Sequence, residues 1–336
     1  MNPIEKVARR VDGFQQRHGW LGFPFAVSKK FGDDQGGNLA ALLAYYGFFS
    51  LFPLLMAFVS ILGLLLRGDP AMKRSIEHSA LANFPVIGEQ ISRNVHSLGS
   101  GVGLTIGIIG ALWGGIGVVQ TAQNALNLVW NIPKRDWPNF FFSRLRSLLM
   151  LIILGTIVIV STFLSGFGAS GHAHSVLLRI SGIAASLLVN LALYLLAFQV
   201  LTARKLAWPE ILPGATTAAL LWTALQSVGG YVLTHEISRA NNTYGTFALV
   251  IGLLVWIYLG AQITLYCAEL NVVRVQRLWP RSLVQPPLTQ ADERFYGLAV
   301  ERSQMRPEQS VEVAFEPSDP AGDATARPDD EDVGKG

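Results

Sequence analysis

The chain has 336 residues, of which 51% are hydrophobic and only 15% charged, with a mean hydropathy of +0.38. Soluble domains carry about 25% charged residues, so this composition argues against one and points to an integral membrane protein. The formal net charge of +3 reads as an orientation and anionic-lipid signal, and no nucleic-acid partner is expected.

Residues 1–37 form a polar, basic lead-in with Lys6, Arg9, Arg10, Arg17, Lys29 and Lys30. No short apolar region with a small-residue cleavage site precedes the first long apolar run, so no removable signal peptide is expected. Trp20, Phe23, Phe25 and Phe31 beside Lys29 and Lys30 suggest a partly helical cytoplasmic segment resting on headgroups; a disordered arm is the other reading. A spanning helix needs about 20 mostly apolar residues. Within a membrane domain at 38–278, six stretches qualify: 39–66, 102–128, 148–168, 180–202, 211–234 and 245–268. They are too long for barrel strands and lack the alternation a barrel requires. A backbone in lipid must satisfy its own hydrogen bonds. The expected fold is therefore an all-α polytopic membrane protein, with six transmembrane helices plus short amphipathic external helices in the segment 69–98. The tail at 279–336, rich in Pro, Glu, Asp, Gly and Ser, is expected to be disordered and cytoplasmic. With six spans, 20 of the 26 Lys and Arg fall on the side shared by both termini, which makes that side cytoplasmic.

Three helical stripes of polar residues interrupt the apolar runs. In the first span, Tyr46, Ser50 and Pro53 are spaced by four and three. Proline removes a backbone donor and clashes with the carbonyl of Phe49, so a kink is expected there, with Ser50 or Tyr46 near the freed carbonyl. The second span carries Gln120, Gln123, Asn124, Asn127 and Asn131; 120, 124, 127 and 131 share one face. In the last span, Tyr258, Gln262, Tyr266 and Glu269 are aligned, with Asn271 following. Glu269 directly follows the last stretch and continues its helical stripe, whereas none of the six stretches contains an acid; it lies close enough to the cytoplasmic end to pair with Arg274 or Arg277. Amides and carboxylates are costly against lipid. Each stripe therefore reads either as interhelix hydrogen bonding or as a polar pathway or substrate surface. The second span also has small residues every four positions, Gly103, Gly107, Ala111 and Gly115, with Gly110 and Gly114 alongside. They predict a close helix crossing.

NLAALLAYYGFFSLFPLLMAFVSILGLL (Asn38 to Leu65), the amide-rich end of the second span, and YGTFALVIGLLVWIYLGAQITLYCAELN (Tyr244 to Asn271) together resemble the YihY/virulence factor BrkB family of inner-membrane proteins. The resemblance covers about residues 35–275 and is closer to the YhjD-like branch; Cys267 stands where many relatives have glycine. It implies a polytopic inner-membrane architecture in a family connected to virulence, serum resistance or envelope lipid export, and once labelled ribonuclease BN. A metal-dependent nuclease needs clustered ligands around an open metal position. The six histidines, His18, His78, His96, His172, His174 and His235, are scattered along the chain. No enzyme activity, metal or cofactor is expected. The expected function is transport or lipid handling and export in the cell envelope, with membrane lipids as partners. The alternative is a scaffold holding an envelope protein or a second copy of itself.

Overall fold

The computed structural model describes residues 3–65, 101–139, 141–150, 152–153, 176–232 and 238–315. The expected external helices at 69–98, most of the expected span at 148–168 and the last part of the tail lie outside these residues. The regular secondary structure of the described residues is helical, without strands. In chain order the helices are α1 (Pro3–Arg17), α2 (Gly19–Asp33), α3 (Gly36–Leu65), α4 (Gly101–Val129), α5 (141–150), α6 (Val176–Leu201), α7 (Trp208–Val232), α8 (Ser238–Val275) and α9 (Gln290–Glu301). Among the described residues, Ala184–Leu201 of α6 and Val250–Val275 of α8 are long and apolar enough to cross a membrane.

The 38-residue α8 is the central element, packing against α2, α3, α4 and α7, while α3 lies along α4 and α6 along α7. Small residues set the close crossings. A Cβ added at Gly114 of α4 would lie 2.9 Å from Ser50 Cα in α3. A Cβ at Gly214 of α7 would collide with the Cys267 carbonyl and the Asn271 amide of α8. The α4 contacts run through Gly114 and Gly117, whereas Gly115 is buried on the neighbouring face. Gly103, Gly107 and Gly110 lie on the preceding turns of α4.

Large apolar side chains point outward on many helices: Phe49, Trp113, Leu149, Leu188, Leu220 and Val255 are all exposed. An outer surface of this kind suits hydrocarbon better than water. The buried core concentrates where α2, α4, α6, α7, α8 and α9 meet, around Phe31, Trp130, Phe198, Ile211, Leu265, Val272 and Phe295.

Both chain ends depart from expectation. Lys30 and Phe31, expected at the headgroup surface, are buried, and Phe31 stacks on Tyr266 with ring centroids 3.8 Å apart. The tail expected to be disordered from 279 contains α9, started by a capping box in which the Thr289 side chain and Asp292 satisfy each other's backbone N–H. Its polar composition concealed Phe295, which packs into the core beneath Arg281, whose guanidinium lies 4.2 Å from the ring centroid. Burying an aromatic ring beneath a cation offsets the ordering cost that such a segment otherwise fails to meet.

Candidate functional site

Helix α4 ends in a Schellman turn: Asn131 adopts φ 53°, its N–H donates to Leu128 O, and the Ile132 N–H donates to Asn127 O. Asparagine tolerates this left-handed geometry better than most residues. The remaining carbonyls at this end carry the negative pole of the helix dipole and receive side-chain donors from distant elements. Lys30 Nζ donates to Val129 O at 2.8 Å, Arg302 Nη1 to Leu128 O at 3.1 Å, and Gln276 Nε2 to Trp130 O at 3.3 Å.

The same cations collect two buried carboxylates. Lys30 Nζ lies 2.8 Å from Glu269 Oε2 and also donates to Asp34 Oδ2, and all three side chains are fully buried. Arg302 Nη1 donates to Asp34 Oδ1 at 2.6 Å and to Asn131 Oδ1 at 3.3 Å. Two acids and two bases thus form a neutral chain, Glu269–Lys30–Asp34–Arg302, joining α8, α2 and the segment after α9. Pairing and additional hydrogen bonds are the condition under which charges persist in a dry interior. Glu269 is therefore held by Lys30. Of its two expected partners, Arg274 donates instead to Pro209 O at 2.9 Å, the carbonyl that Pro213 leaves without an intrahelical donor, and Arg277 ends α8 with φ 53°.

Asn271 completes the junction between α7 and α8, accepting from the Gly214 N–H at 2.7 Å and donating to Ile211 O at 3.2 Å. Asn127 Oδ1 accepts from the Ala203 N–H at 2.7 Å, just beyond α6. Gln123, next to the stripe read from the sequence, is buried and bridges Ser143 and Ser147 of α5. The inward amide row is thus 123, 127 and 131. Gln262 Nε2 donates to the Tyr258 hydroxyl at 3.0 Å along α8, and a Cβ at Gly37 of α3 would lie 3.7 Å from that hydroxyl. Ser50 is buried against Gly114, and its hydroxyl donates to Gly47 O at 3.0 Å rather than to the carbonyl of Phe49. Pro53 lies inside α3, whose helical backbone is continuous from Gly36 to Leu65.

A second polar surface remains open. On α4, Trp113, Gly117, Gln120 and Asn124 follow one another at helical spacing. Trp113 is 85% exposed, Gln120 is half-buried and Asn124 is exposed. Tyr46 of α3 borders this row: its Cδ1 lies 3.3 Å from where a Cβ at Gly117 would sit, and its ring is 42% exposed beside Tyr45 and Phe49. Tyr46, Gln120 and Asn124 are thus the predicted residues that share an accessible face, while Ser50, Asn127, Glu269 and Asn271 are internal. Lys30, Asp34 and Arg302 were absent from the sequence candidates. The one local signal for them was the i, i+4 pairing of Lys30 with Asp34, which also describes ordinary surface pairs.

A family model described as Virulence factor BrkB matches residues 27–290. Inner membrane protein YhjD of Escherichia coli is 24% identical over 277 residues, covering 75% of this chain and 81% of that protein. A UPF0761 membrane protein of Pseudoalteromonas atlantica is 28% identical over 250 residues, covering 70% and 79%. The Bacillus subtilis protein named putative ribonuclease-like protein YfkH is 25% identical over 254 residues, covering 72% and 91%. No solved structure matches.

Proposed function

The chain belongs to the virulence factor BrkB family, and from that premise we propose that it is a six-span protein of the bacterial inner membrane that moves or exports envelope lipids, with both termini in the cytoplasm. The observation that carries this reading is the accessible row on α3 and α4, where Tyr46, Gln120 and Asn124 stand among exposed Phe49 and Trp113. Neither Gln120 nor Asn124 has a hydrogen-bond partner among the described residues. Amides at membrane depth are costly unless a polar group meets them. A lipid headgroup against the amides and the tyrosine hydroxyl, with its acyl chains on the flanking aromatics, satisfies both halves of that surface. Asn124 lies within two turns of the α4 end at which Lys30 and Arg302 gather, so the row climbs from one interface toward the bilayer interior.

The test is transbilayer movement of fluorescent phospholipids in vesicles reconstituted with the purified protein. Wild type is expected to accelerate it. Asn124→Leu and Gln120→Leu are expected to lower the rate without lowering thermal stability, because neither residue holds another element. Folded wild-type protein that moves none of the tested lipids would sink the transport reading and favour a scaffold, in which the same face binds an envelope protein or a second copy.

A further inference from the structure

Helix α1 is amphipathic in a way the bundle does not use. One face is tied to the segment after α8. Asp12 accepts from the Leu283 N–H at 2.9 Å, Gln15 Nε2 donates to Arg281 O at 2.6 Å, and Arg9 Nη1 donates to Pro286 O at 3.0 Å. The opposite face carries Val7, Val11 and Phe14 at i, i+4 and i+7, exposed by 61%, 52% and 54%. Lys6, Arg10 and Arg17, all exposed, form the adjoining strip. A 100° step per residue places them immediately beside the apolar row and away from the tied face. After the single linking residue His18, α2 begins at Gly19 and carries in its first turn Trp20, which is 71% exposed.

We propose that α1 lies in the plane of an anionic leaflet, with Val7, Val11 and Phe14 among the upper acyl chains and Lys6, Arg10 and Arg17 on phospholipid headgroups. The charge pattern selects this occupant. An apolar row flanked by cations on its open side complements a bilayer surface whose headgroups are anionic. The tied face fixes which side is presented, so α1 docks without rotating. The proposal stands independently of whether the protein moves lipids.

The experiment uses the full chain carrying Val11→Cys or Phe14→Cys labelled with bimane; the native Cys267 is buried. The protein is reconstituted in phosphatidylcholine vesicles with or without phosphatidylglycerol, containing phospholipids brominated in the acyl chain. With phosphatidylglycerol, bimane is expected to be quenched by the brominated lipid and shielded from a neutral aqueous quencher, while a control label at the exposed Glu293 stays water-accessible. Replacing Lys6, Arg10 and Arg17 by Gln is expected to weaken docking by about fivefold per residue. Equal aqueous quenching in the two lipid compositions overturns the proposal. Shielding from both quenchers also overturns it, because the face would then be covered by protein.

Discussion

Lys30 spends all three ammonium hydrogens on buried acceptors, Asp34, Glu269 and Val129 O, and that saturation decides what its loss does. Glu269 Oε1 has no hydrogen bond among the described residues, so removing the ammonium leaves a bare carboxylate in the core. Lys30→Met is expected to cost about 3–5 kcal/mol, the usual penalty for breaking one half of a buried pair. Thermal unfolding in detergent measures it. Adding Glu269→Leu to Lys30→Met is expected to restore part of the loss, because Asp34 keeps Arg302 as its partner; a double variant no more stable than Lys30→Met would refute the pairing argument. The importance of Glu269 was legible in the sequence, since a carboxylate in an apolar run needs explaining. Its partner was not, because Lys30 sits in the run SKKFGDD, whose composition is that of a solvated surface turn. Only the fold shows which of its charges faces inward.

Helix pairs are held by positions where a side chain is missing. Gly114→Ala is expected to cost about 1–3 kcal/mol, as overpacking does, because the new methyl meets the Ser50 backbone of α3 at 2.9 Å and only a shift of the whole helix relieves it. Gly13→Ala in α1 has open space around it and is expected to gain up to about 1 kcal/mol from helix propensity. Opposite signs in thermal unfolding check the contrast. Spacing predicts a close crossing of α4 but does not single out the residues that make the contact: α3 approaches at Gly114 and at Gly117, which is not among the expected small residues, while Gly115 lies on the neighbouring face. The amide row was harder, because two helical stripes, 120–124–127–131 and 123–127–131, share their last two members. Periodicity alone does not choose between neighbours 100° apart, and the choice was made by Ser143 and Ser147 on α5, which bind Gln123 and leave Asn124 outside. Helix α9 escaped detection for another reason. Its 12 residues bury few apolar groups, and its stability comes from a capping box and from Arg281, neither of which produces hydrophobic periodicity.

At the scale of the whole molecule, the first and last described segments clasp each other beneath the bundle. Asp292 accepts from Arg281 Nε, from the Ser282 N–H and from the Thr289 hydroxyl and N–H, and lies 3.2 Å from Lys29 Nζ. Burial alone would raise its pKa, but the Ser282 N–H, Arg281 and Thr289 together hold its carboxyl well below the usual carboxylate range. Asp12 is held low in the same way, its burial outweighed by the Leu283 N–H, Gln15, Gln16 and the Val284 N–H. A carboxylate whose folded value is depressed adds stability that is complete above the unfolded value, about 3.9 for aspartate, and is lost as pH falls through the folded value. The clasp is therefore expected to stay closed from neutral pH to about pH 4 and to loosen in stronger acid. Hydrogen exchange of residues 280–304 across this range measures it; Asp292→Asn is expected to raise exchange already at neutral pH. The buried chain Glu269–Lys30–Asp34–Arg302 has a further consequence for biogenesis. Lys30 leaves the ribosome 239 residues before Glu269 and 272 before Arg302, a wait on the order of ten to fifty seconds at ordinary elongation rates. Until then its ammonium has no buried acid except Asp34 and must stay in the aqueous phase, so α2 docks after α8 is in place. The seam between them is closed by Arg302, which is translated after every helix it joins, and a polypeptide released before that residue keeps it open.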